Sequence, residues 1–139
     1  MTHAILGPAI TLVLWTFVMW AWLYATRIPA ILNNKIAMAP TMTKDDLNAQ
    51  LSASVRWKAD NYNHLLEQPT LFYAVVLILA VINAAQVPDV MLAWAYVGVR
   101  VIHSLVQALV NIIILRFAIF MAGSVVLLAL AVRTAMAVF

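Results

Sequence analysis

The sequence predicts an all-α fold, an integral membrane bundle of four helices. Of its 139 residues, 66% are hydrophobic and only 9% are charged, whereas a soluble domain typically has about 25% charged residues. The mean hydropathy is +1.00, and four long apolar runs follow one another along the chain. A soluble core of this size cannot hide so much apolar surface, so lipid must cover the rest. A chain of this length is expected to form a single membrane domain.

The first helix is expected over about residues 5–32. No residue between Ile5 and Thr26 is charged, and a run of that length crosses ~30 Å of hydrocarbon at a rise of about 1.5 Å per residue. Trp22 and Tyr24 are suited to the interface at its far end. The start of the chain lacks the basic region of a cleavable signal peptide, so this run is expected to remain as a helix.

The second helix is expected over about residues 46–86. Thr43, with Asp46 three residues later, is a weak capping-box signal for a helix that begins near Lys44. Pro69 removes one backbone hydrogen bond and is expected to kink this helix just after Glu67. Such a kink suits a functional site, but it is equally typical of a packing bend.

The third and fourth helices are expected over about residues 90–109 and 112–138, after a tight turn at residues 86–89. Asn111 is the only turn-forming residue before Arg116, so we place the last turn near Val110 and Asn111. A turn at Arg116 is the alternative, but it would make the third helix longer than a bilayer needs.

Positive charge is unevenly distributed between the two ends of this bundle. One end, with the first loop and the third turn, has six basic residues: Arg27, Lys35, Lys44, Arg56, Lys58 and Arg116. The other end has little beyond Arg133. Because loops rich in Lys and Arg stay in the cytoplasm, we expect a cytoplasmic first loop and both termini on the non-cytoplasmic side.

Two stripes of polar residues are cut into the predicted helices. The first lies on one face of helix 2: Arg56, Asp60, Asn63, His64 and Glu67. The second lies on one face of helix 3: Tyr96, Arg100, His103 and Gln107. The first could be a solvated helix end, and the second could supply only hydrogen bonds between helices. Because an ionisable residue at membrane depth usually has a partner or a function, we expect Glu67 and Arg100 to form a buried ion pair or share one site.

The composition also excludes several classes of site. The net charge of +3 is small and no basic tract indicates nucleic acid. There is no cysteine, which excludes disulfides, thiolate metal sites and a cysteine nucleophile. His64 and His103 lack metal-ligand spacing, so no metal is expected. Thiol chemistry would therefore need a thiol that arrives with a substrate.

Two segments together resemble a known family. They are residues 63–72, NHLLEQPTLF, and residues 96–103, YVGVRVIH. In this order they are similar to the membrane-associated proteins in eicosanoid and glutathione metabolism, the MAPEG family. That family includes microsomal glutathione transferases, leukotriene C4 synthase and prostaglandin E synthase. The resemblance covers roughly residues 56–139, with a weaker match in helix 1.

The resemblance implies a homotrimer that binds glutathione as cosubstrate between neighbouring subunits near the cytoplasmic face. It implies that Glu67 holds the glutathione amine, that Arg27 approaches a glutathione carboxylate and that Arg116 lies near the sulfur as the catalytic residue. The remaining candidate cosubstrate-binding residues are Asn63, His64, Arg100, His103 and Gln107. One departure is that Asp60 stands four residues before His64, where family enzymes usually have an arginine.

The leading functional hypothesis is therefore a membrane-bound transferase or peroxidase that uses glutathione or a related thiol on a lipophilic small molecule. The second is a non-catalytic membrane protein that keeps the bundle for assembly or lipid binding. A small transporter is less favoured, because we find no repeat and no pair of discontinuous helices. An open pocket at Arg116 and His103 would favour the enzyme, whereas full pairing of these residues with each other would favour the non-catalytic protein.

Overall fold

Four helices are long and apolar enough to cross a membrane in the computed structural model, which describes residues 2–139. The helices are α1 (Thr2–Asn33), α2 (Lys44–Ala49), α3 (Ala53–Glu67), α4 (Pro69–Val81), α5 (Val87–Leu109) and α6 (Ile113–Val138). Since only Gln68 separates α3 from α4, these two helices form one span, Ala53–Val81. The predicted all-α membrane bundle is confirmed, and the chain is a multi-pass integral membrane protein.

The second span is shorter than the predicted 46–86 at both ends. Thr43 and Asp46 do form a capping box, with each backbone N–H bonded to the other side chain at 3.0 and 3.1 Å, but it starts the separate short helix α2. Hydrogen bonds with Thr43 lower the pKa of the Asp46 carboxyl below its ordinary value. The bond from the Thr43 backbone N–H has the larger effect, and the bond with the Thr43 side chain has the smaller one. At the other end Asn83 has a φ of 54°, a left-handed conformation that stops a helix.

The segment predicted as a tight turn at residues 86–89 is instead the start of α5. Gln86 and Asp89 form a capping box, in which the Gln86 N–H donates to the Asp89 carboxylate at 2.8 Å. Pro88 lies in the first turn, where its missing N–H costs nothing. The third span therefore begins three residues earlier than expected, at Val87.

Pro69 interrupts the hydrogen bonding of the second span without ending it. It occupies the first position of α4, and the Gln68 backbone before it stays helical. The Thr70 hydroxyl donates to the Glu67 carbonyl at 2.7 Å. The Thr70 side chain thus supplies a hydrogen bond to the Glu67 carbonyl at the place where the proline disturbs the helical backbone.

The core is formed by one face of each span. Ile5, Leu12 and Met19, spaced by seven residues along α1, are fully buried with Phe72 of α4 and Tyr96 of α5. α5 contacts α1, α3 and α6, and α6 also contacts α4. The outer faces carry large exposed apolar side chains, among them Leu14, Leu71, Ile102, Ile114, Phe117 and Val132. Such continuous apolar surface is stable only in contact with lipid.

Candidate functional site

Polar residues of three helices meet at the bundle end that holds the first loop and the α5–α6 turn. A cavity of about 260 Å³ lies between the end of α3, the middle of α5 and the start of α6. Its lining residues are His64, Glu67, Gln68, His103, Ile113, Arg116, Phe117 and Phe120. One wall of the cavity is therefore ionisable, and the α6 wall is largely apolar.

Glu67 lies at the mouth of this cavity. Its side chain is 68% exposed, and its carboxylate is 3.6 Å from Nδ1 of His64. An exposed pair of this kind contributes only about 0–1 kcal/mol to stability. The Glu67 carboxylate is thus accessible to a cationic group of a ligand.

Arg100 does not form the predicted ion pair with Glu67. Its side chain is buried with 1% exposed, and Nη2 donates to the His64 backbone carbonyl at 3.2 Å. Nε and Nη1 have no hydrogen-bond partner among residues 2–139, and no carboxylate of that part of the chain lies within ion-pair distance. Glu67 lines the cavity, whereas Arg100 lies beneath the α3 backbone, so their charged groups do not meet in an ion pair.

His103 joins the polar and apolar walls of the cavity. It is buried on α5, with its ring centroid 6.2 Å from that of His64 and 6.2 Å from that of Phe120. Its Nδ1 has no partner within the described part of the chain. The ring thus forms part of the cavity wall, while its Nδ1 is buried behind that wall.

Arg116 provides the positive charge on the α6 side. It lies in the first turn of α6 and is half-buried. Its Nη1 donates to the Asn111 side-chain carbonyl at 2.7 Å. Because this partner is neutral, the bond places no negative charge against the guanidinium at the cavity wall.

A hydrogen-bonded chain of neutral side chains meets the cavity at Gln68, and the sequence did not identify it as part of the site. The Tyr96 hydroxyl donates to the Gln68 side-chain carbonyl oxygen at 3.1 Å, and the Gln68 side-chain amide donates to the Ser124 hydroxyl at 2.8 Å. This network joins three spans. The sequence indicates Tyr96 only as a member of the polar stripe on α5. The position of Gln68 between Glu67 and Pro69 is the one sequence signal that could have identified it as a site residue.

An apolar groove continues from this network along α4 and α6. Its volume is about 320 Å³, and Gln68 belongs to the lining of both spaces. The other lining residues are Leu71, Ala74, Val75, Ser124, Leu127, Leu128 and Ala131. The polar cavity is thus adjacent to a groove that suits a hydrocarbon chain.

The structure brings together only some of the site residues predicted from the sequence. His64, Glu67, His103 and Arg116 line the cavity. Four others do not: Arg27, Asn63, Arg100 and Gln107. Arg27 is directed to α2, where its Nη2 donates to the Asn48 side-chain carbonyl at 3.4 Å. Gln107 is 1% exposed, and neither atom of its amide has a partner in residues 2–139.

The cavity has the groups needed for a ligand with charges of both signs. Glu67 offers an anion at the mouth, Arg116 offers a cation on the opposite helix, and Phe117 and Phe120 offer an apolar surface. No cluster of three or more potential metal ligands occurs among residues 2–139.

The chain was also compared with known proteins. The model of the family described as the MAPEG family matches residues 5–136. No curated protein and no solved structure matches the chain. The family match includes the whole of the two middle spans, nearly all of the first and last, and every residue that lines the cavity.

Proposed function

The chain belongs to the MAPEG family, and we propose that it is a membrane-bound transferase or peroxidase that uses glutathione, or a related thiol, on a lipophilic electrophile. The observation that carries this proposal is the open cavity between Glu67 and Arg116, directly beside an apolar groove. A charged thiol peptide fits the first space and a hydrocarbon acceptor fits the second.

Arg116 is proposed to stabilise the thiolate of the bound cosubstrate. An unperturbed thiol has a pKa of about 8.5, so little of it is ionised at neutral pH. Lowering that pKa by about two units requires about 2.7 kcal/mol of differential stabilisation. A guanidinium stays charged at any working pH, and one such cation in a partly dehydrated cavity is sufficient.

The reaction then follows from the positions of the other groups. Glu67 binds the ammonium group of glutathione, and His64 and His103 contact its polar backbone. A sulfur lone pair forms the new bond to the electrophilic atom of the acceptor while the bond to the leaving oxygen or halogen breaks. The thiol proton neutralises the anion that is released. The acceptor enters from lipid and lies along the groove beside Leu71 and Leu128.

We further propose a homotrimer with the first loop in the cytoplasm. In this orientation the cavity opens toward the compartment from which a water-soluble thiol would enter. Arg27 and Asn63, which lie outside the cavity of their own chain, would complete the site of a neighbouring copy. Asp60 is exposed and lies outside the cavity, so its negative charge does not line the proposed thiol site.

The non-catalytic alternative predicts that Arg116 and His103 are paired with each other. Arg116 instead bonds to Asn111, His103 has a free ring nitrogen among the described residues, and open space lies between them. These observations favour the enzyme.

Calorimetric titration of the detergent-purified protein with glutathione tests the proposal. Ultraviolet difference absorbance then measures the thiolate of the bound cosubstrate in the native protein, in Arg116→Ala and in Lys44→Ala. Lys44→Ala is the control because it removes an exposed cation from the same end of the bundle without touching the cavity.

We expect glutathione to bind all three proteins and the thiolate signal to be lost only in Arg116→Ala. An equal signal in all three would remove Arg116 from the chemistry. If glutathione binds none of them, glutathione is removed as the cosubstrate and the non-catalytic alternative is favoured.

A further inference from the structure

We propose that Asn111 is a positioning residue for Arg116, and that its side-chain carbonyl holds the guanidinium at the cavity wall. This inference rests on the proposed function, in which the charge of Arg116 acts on a bound thiol. It concerns a residue outside the cavity lining, in the turn between α5 and α6.

Both the backbone and the side chain of Asn111 are held by hydrogen bonds in the turn. Its backbone N–H donates to the Val106 carbonyl at 2.7 Å, and its φ of 48° turns the chain out of α5. Its side-chain oxygen then accepts the bond from Arg116 Nη1 at 2.7 Å across five residues. The acceptor therefore belongs to a rigid turn, while the donor belongs to a long side chain with several rotatable bonds.

Holding the guanidinium has a direct electrostatic consequence. A free arginine side chain samples many rotamers, and electrostatic stabilisation is effective only when the charge is in place before the reaction. One bond to Asn111 uses one of five N–H donors. The remaining donors are left for an anion in the cavity.

The neutrality of the Asn111 amide matters as much as its position. Asparagine and aspartate both tolerate a left-handed backbone, so the turn alone does not select between them. A carboxylate at this position would hold Arg116 more tightly, but it would also cancel the charge that the thiolate needs. The amide holds the guanidinium and leaves its charge unopposed.

The turn by itself offers a simpler explanation of Asn111, and the chain provides a matched control for it. Asn83 has a similar φ of 54° in the turn between α4 and α5, at the opposite end of the bundle from the cavity. Glycine adopts this conformation without strain, so Asn111→Gly keeps the turn and removes only the side-chain acceptor. Asn83→Gly makes the same change away from Arg116.

Two readouts separate positioning from a general loss of structure. The first is the pH titration of bound glutathione by ultraviolet absorbance. The second is the rate at which phenylglyoxal, a reagent for guanidinium groups, modifies Arg116, measured by mass spectrometry without glutathione. Both are applied to the native protein, Asn111→Gly, Asn111→Asp and Asn83→Gly.

We expect Asn111→Gly to raise the apparent pKa of the bound thiol by about one unit, which is a tenfold loss of thiolate below that pKa. Arg116 should then be modified several-fold faster. Asn111→Asp should also raise the thiol pKa, because its charge opposes Arg116, but it should keep the slow modification of a held guanidinium. Asn83→Gly should leave both readouts as in the native protein.

Equal thiol pKa and equal modification rates in Asn111→Gly and the native protein would overturn the inference. If Asn111→Gly fails to fold, an unchanged thiol pKa in Asn111→Asp would overturn it. If the native protein binds no glutathione, the proposed function fails. Only the rate of Arg116 modification then tests the inference. A faster rate in Asn111→Gly supports positioning of Arg116 for another anion, and an equal rate overturns it.

Discussion

Arg100 brings a positive charge into the interior of the bundle with a single hydrogen bond, to the His64 carbonyl. Two of its nitrogens have no partner among the described residues. Removing one member of a buried ion pair costs about 3–5 kcal/mol, because it leaves the other charge buried without compensation. Arg100 has no ion-pair partner within residues 2–139, so removing its charge relieves a desolvation cost and leaves no opposite charge unpaired.

Arg100→Met is therefore expected to leave the free energy of unfolding unchanged or to raise it by up to about 3 kcal/mol, the cost of burying polar groups without hydrogen-bond partners. Thermal unfolding in mild detergent measures the effect. Arg133→Met is the matched control, because the same substitution there leaves the buried carboxylate of Asp89 without its ion-pair partner, and we expect it to lower stability. If Arg100→Met loses as much stability as a broken buried ion pair does, the prediction is wrong and Arg100 has an anionic partner.

At the level of the helices, an arginine near each end of α6 bonds to a neighbouring element. Near the start of α6, Arg116 bonds to Asn111 of the α5–α6 turn. At the opposite end, Arg133 pairs with Asp89 of α5, and its Nε lies 2.5 Å from a carboxylate oxygen of Asp89. Asp89 is 4% exposed in its side chain, and Arg133 is 37% exposed. Partial exposure weakens the pair below the value for a fully buried one, but Asp89 also caps α5 through the Gln86 N–H.

A double-mutant cycle with Asp89→Asn and Arg133→Met isolates this connection between the two helices. Asparagine keeps an acceptor for the capping bond and removes the charge, so the cycle reports the ion pair and not the cap. We expect a coupling energy of about 1–3 kcal/mol from the unfolding free energies of the four proteins. Additive effects, with a coupling near zero, would show that water screens the pair.

For the whole molecule, the distribution of charge predicts the direction of insertion. The end with the first loop has six basic residues, whereas the only arginine near the other end, Arg133, is paired with Asp89. We expect the first loop in the cytoplasm and the C-terminal end of α6 on the other side.

Because the chain has no cysteine, single cysteines at Thr41 and Phe139 can report this orientation without background labelling. A membrane-impermeant maleimide added to intact cells should label Phe139→Cys and not Thr41→Cys. Labelling of both, or of Thr41→Cys alone, would contradict the predicted topology. Labelling after the membrane is permeabilised controls for the reactivity of each site.

The proposed trimer is the second property of the whole molecule. Polar side chains such as the exposed Glu67 and the half-buried Asn63 would cost several kcal/mol each if they faced hydrocarbon, so contact between copies near the cavity is expected to shield them. Native mass spectrometry in mild detergent should show a trimer. If only monomers or dimers are observed under these conditions, the proposed site between neighbouring copies is wrong, and so is the role proposed for Arg27.

The sequence by itself determined the class of the protein and the approximate spans. Long apolar runs must lie in lipid, and signals such as Thr43 with Asp46 or Asn111 act through bonds between near neighbours. These effects depend on residues close together in the chain, so a pattern is enough to predict them. The misplaced segments, at residues 50–52 and 82–89, are ones where capping bonds decide between a turn and a helix.

Only the tertiary structure decided which polar residues meet. Helical spacing places Glu67 and Arg100 on polar faces, but it does not give the rotation of one helix against another. That rotation directs Glu67 to the cavity, Arg100 beneath the α3 backbone and Arg27 to Asn48 on α2. It also brings together Gln68 and Ser124, which are 56 residues apart. Apolar packing across the whole bundle sets this rotation, and packing is a property of all the spans together and not of any one of them.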